Sequence, residues 1–155
     1  MTHNQEAWVH RMQGLLRIVT GLLFMQHGVQ KLFGLLGGMG GSGATADPGS
    51  IYWVAGVLET FGGALIALGL LTRPVAFLVA GEMAYAYFTR HLPENPWPIL
   101  NNGELAALYC FVFLFFFAAG AGAWSVDAWI RRRRPEPASR SEDRPDTRYK
   151  RFKTG

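Results

Sequence analysis

The sequence predicts an all-α protein: a four-transmembrane-helix bundle with both termini cytoplasmic and a disordered basic C-terminal tail. Three observations carry this. Four long apolar stretches divide the first 130 residues, Lys and Arg avoid two of the loops between them, and most of the charge lies beyond Ile130. The chain is 50% hydrophobic and 17% charged. Such an apolar share is at the top of the soluble range, and the charged share is below it. From Arg131 onward ten Lys or Arg face four Asp or Glu, a net +6 in a chain of net +4, so residues 1–130 carry about −2. The basic character belongs to the tail. The expected division is a membrane domain over 1–130 and a tail over 131–155.

The apolar stretches predict helices over about 13–36, 51–71, 74–90 and 104–123. A bilayer core about 30 Å thick needs roughly 20 helical residues. The third stretch is the shortest and reaches that length by including Arg90, whose long side chain can snorkel. A soluble bundle would show a polar face on each helix. The fourth stretch, LAALYCFVFLFFFAAGAGA, shows none, and the second is broken only by Glu59 and Thr60. The first is long and contains ionisable residues, so it is expected to stay as a helix rather than leave as a signal peptide.

The connecting segments orient the bundle. Residues 37–50 and 91–103 contain no Lys or Arg, whereas Arg11, Arg73 and Arg131–Arg134 mark the other side. The positive-inside rule then makes the protein multi-pass in the cell membrane, with both termini cytoplasmic. The loop GGMGGSGATADPGS contains a G-x-G-x-x-G spacing with no strand before it. It is read as a flexible linker, not a nucleotide site. Three prolines and Trp97 make HLPENPWPILNNGE a stiffer loop, expected to lie against the membrane. The tail, RRRRPEPASRSEDRPDTRYKRFKTG, is too poor in aliphatics to fold alone and is suited to anionic lipid. Nucleic acid is not an expected partner.

Ionisable residues inside a membrane need partners or a cavity. Arg17, His27 and Lys31 fall in the first helix, Glu59 in the second and Glu82 in the third. Glu104 opens the fourth and Asp127 lies just beyond it. His27 and Lys31 are four residues apart, on one face. Gly56 and Gly63 share a face with Glu59, where small residues admit a close neighbour. Counting depth from the helix ends suggests Lys31–Glu104 and His27–Glu59 as the first pairs, with Glu82 a further candidate. His27, Lys31, Glu59, Glu82, Asn101 and Glu104 are thus candidates for an external polar pocket able to hold a small molecule, a quinone headgroup or a proton path. Arg17, Gly56, Gly63 and Asp127 are structural or charge-pairing candidates. Helix gluing is an equally good account of the charges.

No zinc-ligand spacing, nucleophile elbow or P-loop occurs, so no metal site and no autonomous catalytic motif are expected. His27 and His91 are badly placed for a bis-histidine haem. The single Cys110 forms no redox pair and reads as a small buried hydrophobe.

The stretches RIVTGLLFMQHGVQKLFG, GVLETFGGALIALGLLTRPVAFLVAGEMAYAYF, NNGELAALY and AGAGAWSVDAW cover about residues 14–130. In that order they resemble the DoxX family of small four-helix membrane proteins. The family's loop motif is usually Asn-Gly-Gly-Glu, and here Asn102 replaces the first glycine. Asn tolerates the left-handed conformation better than most residues. The resemblance implies a membrane subunit linked to thiosulfate:quinone-type or oxidative-stress redox chemistry, with quinone as cofactor and a redox partner subunit. A small-solute or proton-coupled transporter, and a non-catalytic scaffold for partner proteins, stand as alternatives.

Overall fold

The computed structural model describes residues 3–133. Within them the secondary structure is helical, with no strand beyond an isolated bridge between Met39 and Ala44. Helix α1 spans His3–Phe33. α2 spans Ile51–Leu68 and contains a π-helical turn, Leu58–Gly62. α3 spans Thr72–Ala86 and continues in a second π turn, Tyr87–His91. α4 spans Glu104–Ala119 and α5 Val126–Arg133.

The helix ends differ from the expected ones for local reasons. α1 begins ten residues before position 13, because its polar, exposed first turns are helical without being apolar; Glu6 in the first turn suits the helix dipole. α2 starts after Ser50, whose hydroxyl accepts from the Trp53 N–H at 3.2 Å. It stops at Leu68, three residues early, because Gly69 turns left-handed at φ +69°. α3 starts two residues before Pro74, which falls in the first turn where no N–H is needed. Its cap comes from a distant part of the chain. The Leu71 and Thr72 N–H groups donate to the two carboxylate oxygens of Asp127, each at 2.9 Å. α4 stops at Ala119, so the rest of the AGAGA segment, Gly120–Ala123, is loop. Arg131–Arg133, expected in the tail, continue α5; the rest of that expected tail, 134–155, lies outside the described residues.

The glycine-rich loop is folded back rather than a loose linker. Gly38 and Ala46 are buried, and the Ala46 N–H donates to the Lys31 carbonyl at 2.7 Å.

Packing joins two helix pairs. α1 lies on α2, and α3 on α4. The first pair meets backbone to backbone. A Cβ on Gly21 would stand 2.5 Å from the Ala67 nitrogen and 2.7 Å from the Gly63 carbonyl oxygen, so only glycine allows this approach. Gly63 faces the α1 backbone in turn, and Gly56 faces the Leu32 and Lys31 side chains. The pairs are joined by an apolar core in which Phe24 of α1 meets Tyr109 and Phe113 of α4 at ring separations of 5.3 and 4.8 Å. Ile66, Val79, Met83 and Phe116 complete it. Outside this core, large apolar side chains are exposed on every long helix, among them Leu22, Phe61, Phe77, Leu108 and Phe111. Among the described helices, α2 alone is long and apolar enough to cross a membrane by length and composition; α4 is apolar but has 16 residues.

Candidate functional site

Polar side chains gather at the two ends of the bundle. At the end where α1 begins, Arg17 is fully buried. Its guanidinium donates from Nε to the Ala121 carbonyl (2.8 Å), from Nη1 to Ile66 and Ala67 (2.6 and 2.5 Å), and from Nη2 to Ala123 and Trp124 (3.3 and 2.9 Å). All five guanidinium hydrogens thus have carbonyl acceptors. Two belong to the C-terminal turn of α2, where the helix dipole favours a cation. The other three lie in the loop after α4. Gln13 adds a bond to the Gly120 carbonyl at 2.7 Å. Arg17 is therefore held by backbone, not by a carboxylate, and Asp127 is spent on capping α3.

At the other end lies a cavity of about 920 Å³ between α2 and α3. Its polar wall brings together Lys31, Glu59, Glu82 and Asn101 from the sequence-derived candidates. Lys31 Nζ bonds both oxygens of Glu59 at 2.5 Å, in place of the expected Lys31–Glu104 and His27–Glu59 pairs. The reason is helix contact. α1 lies directly on α2, and Gly28 and Gly56 let the two backbones close up beside Glu59. Glu59 sits in the π turn, with its carboxylate almost wholly buried. Glu104 is exposed at the start of α4 and does not line the cavity. His27 is also outside it, half-buried with its ring edge-on to Tyr109 at 6.2 Å.

Glu82 differs from its neighbours. Both carboxylate oxygens are buried, and among the described residues neither has a hydrogen-bond partner. Asn101 is committed to the loop: its amide donates to the Asn95 carbonyl (2.6 Å) and its oxygen accepts from the Gly103 N–H (2.7 Å). Asn102 takes the left-handed conformation at φ +56°, as the glycine it replaces would.

The sequence reading missed His91, Arg90 and Tyr52 in the cavity wall. His91 Nδ1 donates to the Asn101 carbonyl at 2.9 Å, an acceptor-only partner, which leaves Nε2 for other contacts. Arg90 lies over the Tyr52 ring at 5.3 Å, closing one side of the cavity. Both π turns border this space, Glu59 coming from one and Arg90 and His91 from the other. Single π turns inside α-helices are frequent at functional sites. Ile51, Val54, Phe77, Leu78 and Tyr85 line the opposite part of the cavity and are themselves exposed. The cavity therefore has a largely apolar mouth between α2 and α3, with the exposed Arg90, Glu94 and Asn102 on its rim, and a charged inner wall. Among the described residues no cluster of His, Cys, Asp and Glu could hold a metal ion.

Comparison with known proteins follows the same lines. An uncharacterized protein of Haemophilus influenzae is 43% identical over 129 residues, covering 81% of this chain and 95% of its own. A Bacillus subtilis protein named "Putative oxidoreductase CatD" is 29% identical over 116 residues, covering 75% of this chain and 84% of its own. No solved structure matches significantly. The DoxX family model matches residues 13–92, the segment that supplies Arg17, Lys31, Glu59, Glu82 and both π turns. The chain belongs to the DoxX family of membrane proteins.

Proposed function

We propose that this protein is a four-span membrane subunit of a quinone-linked oxidoreductase, with both termini cytoplasmic and the cavity between α2 and α3 as the quinone-headgroup site. Residues 1–130 form the membrane domain in this reading, and the basic segment from Arg131 is a cytoplasmic tail. The exposed apolar side chains on every long helix support lipid contact on all sides. α4, at 1.5 Å per residue, reaches about 24 Å, which a thinned bilayer accommodates. The loop after α4 continues the crossing. Non-helical backbone is tolerated at membrane depth only when protein satisfies its carbonyls, and Arg17 and Gln13 do so.

The observation that carries the quinone reading is the orphaned carboxyl of Glu82 in a cavity with a largely apolar mouth. A buried polar group without a partner calls for an explanation. A quinol hydroxyl is a donor that would fill it, or would reach His91 Nε2, and the quinone form is an acceptor suited to Lys31. An isoprenoid tail would leave through the mouth toward lipid. The volume lies within the 300–1,000 Å³ usual for small-molecule sites. The Bacillus relative's name points the same way. Electron transfer would need a bound cofactor or a partner subunit, since the chain has one cysteine. The test is purification in mild detergent with extraction and chromatography of bound quinone, beside identification of co-purifying proteins. Stoichiometric quinone lost in Glu82→Leu is the expected result; no quinone and no redox partner would end this reading. Glu82 also favours a second reading, a proton-coupled transporter. Proton-gradient-driven solute uptake into proteoliposomes, abolished by Glu82→Gln, would favour it.

A further inference from the structure

The end of the bundle where α1 begins carries a second cavity, of about 990 Å³, that the quinone reading does not use. Its walls are the first turns of α1, the end of α2, the loop at Gly122–Ser125, and α5. Among the described residues three basic side chains line it, His10, Arg11 and Arg132, and no Asp or Glu does. Asp127, the carboxylate nearest in sequence, is turned away to cap α3. Among the described residues neither Arg11 nor Arg132 pairs with a carboxylate. The largest apolar side chains of the lining are Leu68, Trp124 and Trp129, all more than half exposed.

We infer that this cavity binds one anionic glycerophospholipid, its phosphate between Arg11 and Arg132 and its first acyl carbons against Leu68, Trp124 and Trp129. Basic pockets between helices on the cytoplasmic side are a recognised setting for anionic headgroups, and indole rings favour the headgroup level. The chemistry read here is a phosphate with an attached apolar chain. A free phosphate has no use for the indole and leucine wall. The site is preformed by the same loop that Arg17 anchors: the Ala123 and Trp124 carbonyls point inward to the guanidinium, while Trp124 points outward. A headgroup there would tie α1, α2 and α5 together at the end of the bundle.

The inference rests on the membrane-spanning reading of the chain, and its test separates the two. Full-length protein is reconstituted in nanodiscs of phosphatidylcholine with a minor share of phosphatidylglycerol, then released and weighed by native mass spectrometry. One retained phosphatidylglycerol per chain is expected. Arg11→Gln with Arg132→Gln should lower its preference over phosphatidylcholine about tenfold or more, since each basic residue near an anionic surface accounts for roughly fivefold. The charge-keeping pair R11K/R132K should retain it, which guards against misfolding as the cause. Equal retention in the Gln pair would overturn the inference. So would loss caused by Lys150→Gln, Arg151→Gln and Lys153→Gln in the tail, or displacement of the lipid by millimolar inorganic phosphate. Nanodiscs carry the same lipid in both leaflets, so the result does not depend on orientation. Release of the protein from membranes by alkaline carbonate would count against the spanning reading instead.

Discussion

Replacing Arg17 by Lys keeps the charge and removes the fork. Five guanidinium donors reach five carbonyls, whereas an ammonium has three hydrogens. At least two acceptors lose Arg17 as their donor, and of the five only Ile66 has another among the described residues, the Gly69 N–H at 3.0 Å. Ile66 and Ala121 accept in wholly buried bonds, while the Ala67, Ala123 and Trp124 bonds are only partly buried and water can replace them. Each orphaned buried group costs about 1–3 kcal/mol. One of them, with the poorer aim of an ammonium at the rest, gives a loss of about 2–3 kcal/mol for Arg17→Lys. Arg17→Ala removes the donor of all five, leaves every one but Ile66 without another, and should cost more, about 4–5 kcal/mol, near the upper end for single substitutions. The assay is unfolding of purified protein in detergent, followed by circular dichroism at increasing denaturant. If Arg17→Lys lies within about 1 kcal/mol of wild type, the range of ordinary side-chain hydrogen bonds in membranes, the fork has no special role and the reasoning fails.

Lys31→Ala should cost about 2–4 kcal/mol, because it leaves the buried Glu59 without its counter-charge. Adding Glu59→Gln to it should recover part of the loss; a double variant no more stable than Lys31→Ala would show that the pair is not what holds α1 on α2. Asp127→Ala removes the cap of two α3 N–H groups and should lower stability by about 1–2 kcal/mol, checked by the same unfolding curves. Gly21→Ala would gain about 1 kcal/mol from helix propensity alone. The close approach to Ala67 and Gly63 should reverse the sign to a net loss of about 2–3 kcal/mol, and a stabilised variant would refute the tight α1–α2 contact.

The helices were legible because apolar runs mark them, and their ends were not, because the ends depend on distant residues. Nothing near Thr72 announces that Asp127, 55 residues later, supplies its cap. The AGAGA segment reads as a helix by hydropathy, yet its carbonyls belong to Arg17 and Gln13. The glycines of α2 were noticed beside Glu59. Their partners in α1, Gly21 and Gly28, repeat at seven residues and could have been paired with Gly56 and Gly63 by the same spacing. That pairing would have placed Lys31 beside Glu59. Glu104 was joined to Lys31 on depth alone, and depth says nothing about which helices touch. His91 falls one residue past the expected third helix, but the π turn carries the helix through it.

The charge accounting changes once these partners are known. By residue count, Arg17 and Lys31 balance Glu59 and Glu82. By contact, Arg17 is matched by five carbonyls and a helix end, and Lys31 by Glu59. Backbone has taken the place of one carboxylate, which leaves Glu82 over. A bundle that needed its charges only as glue would have no reason to keep a carboxyl with two unfilled oxygens. Leucine or methionine of similar volume would pack there at no such cost, as it often does when a buried ion is replaced. Glu59 meets that argument through Lys31; Glu82 does not. Its retention at the wall of a cavity is therefore the point on which gluing and binding divide. Glu82→Met separates them: a gain in unfolding stability with loss of a bound molecule means a binding site, and a loss in stability with no bound molecule to lose means glue.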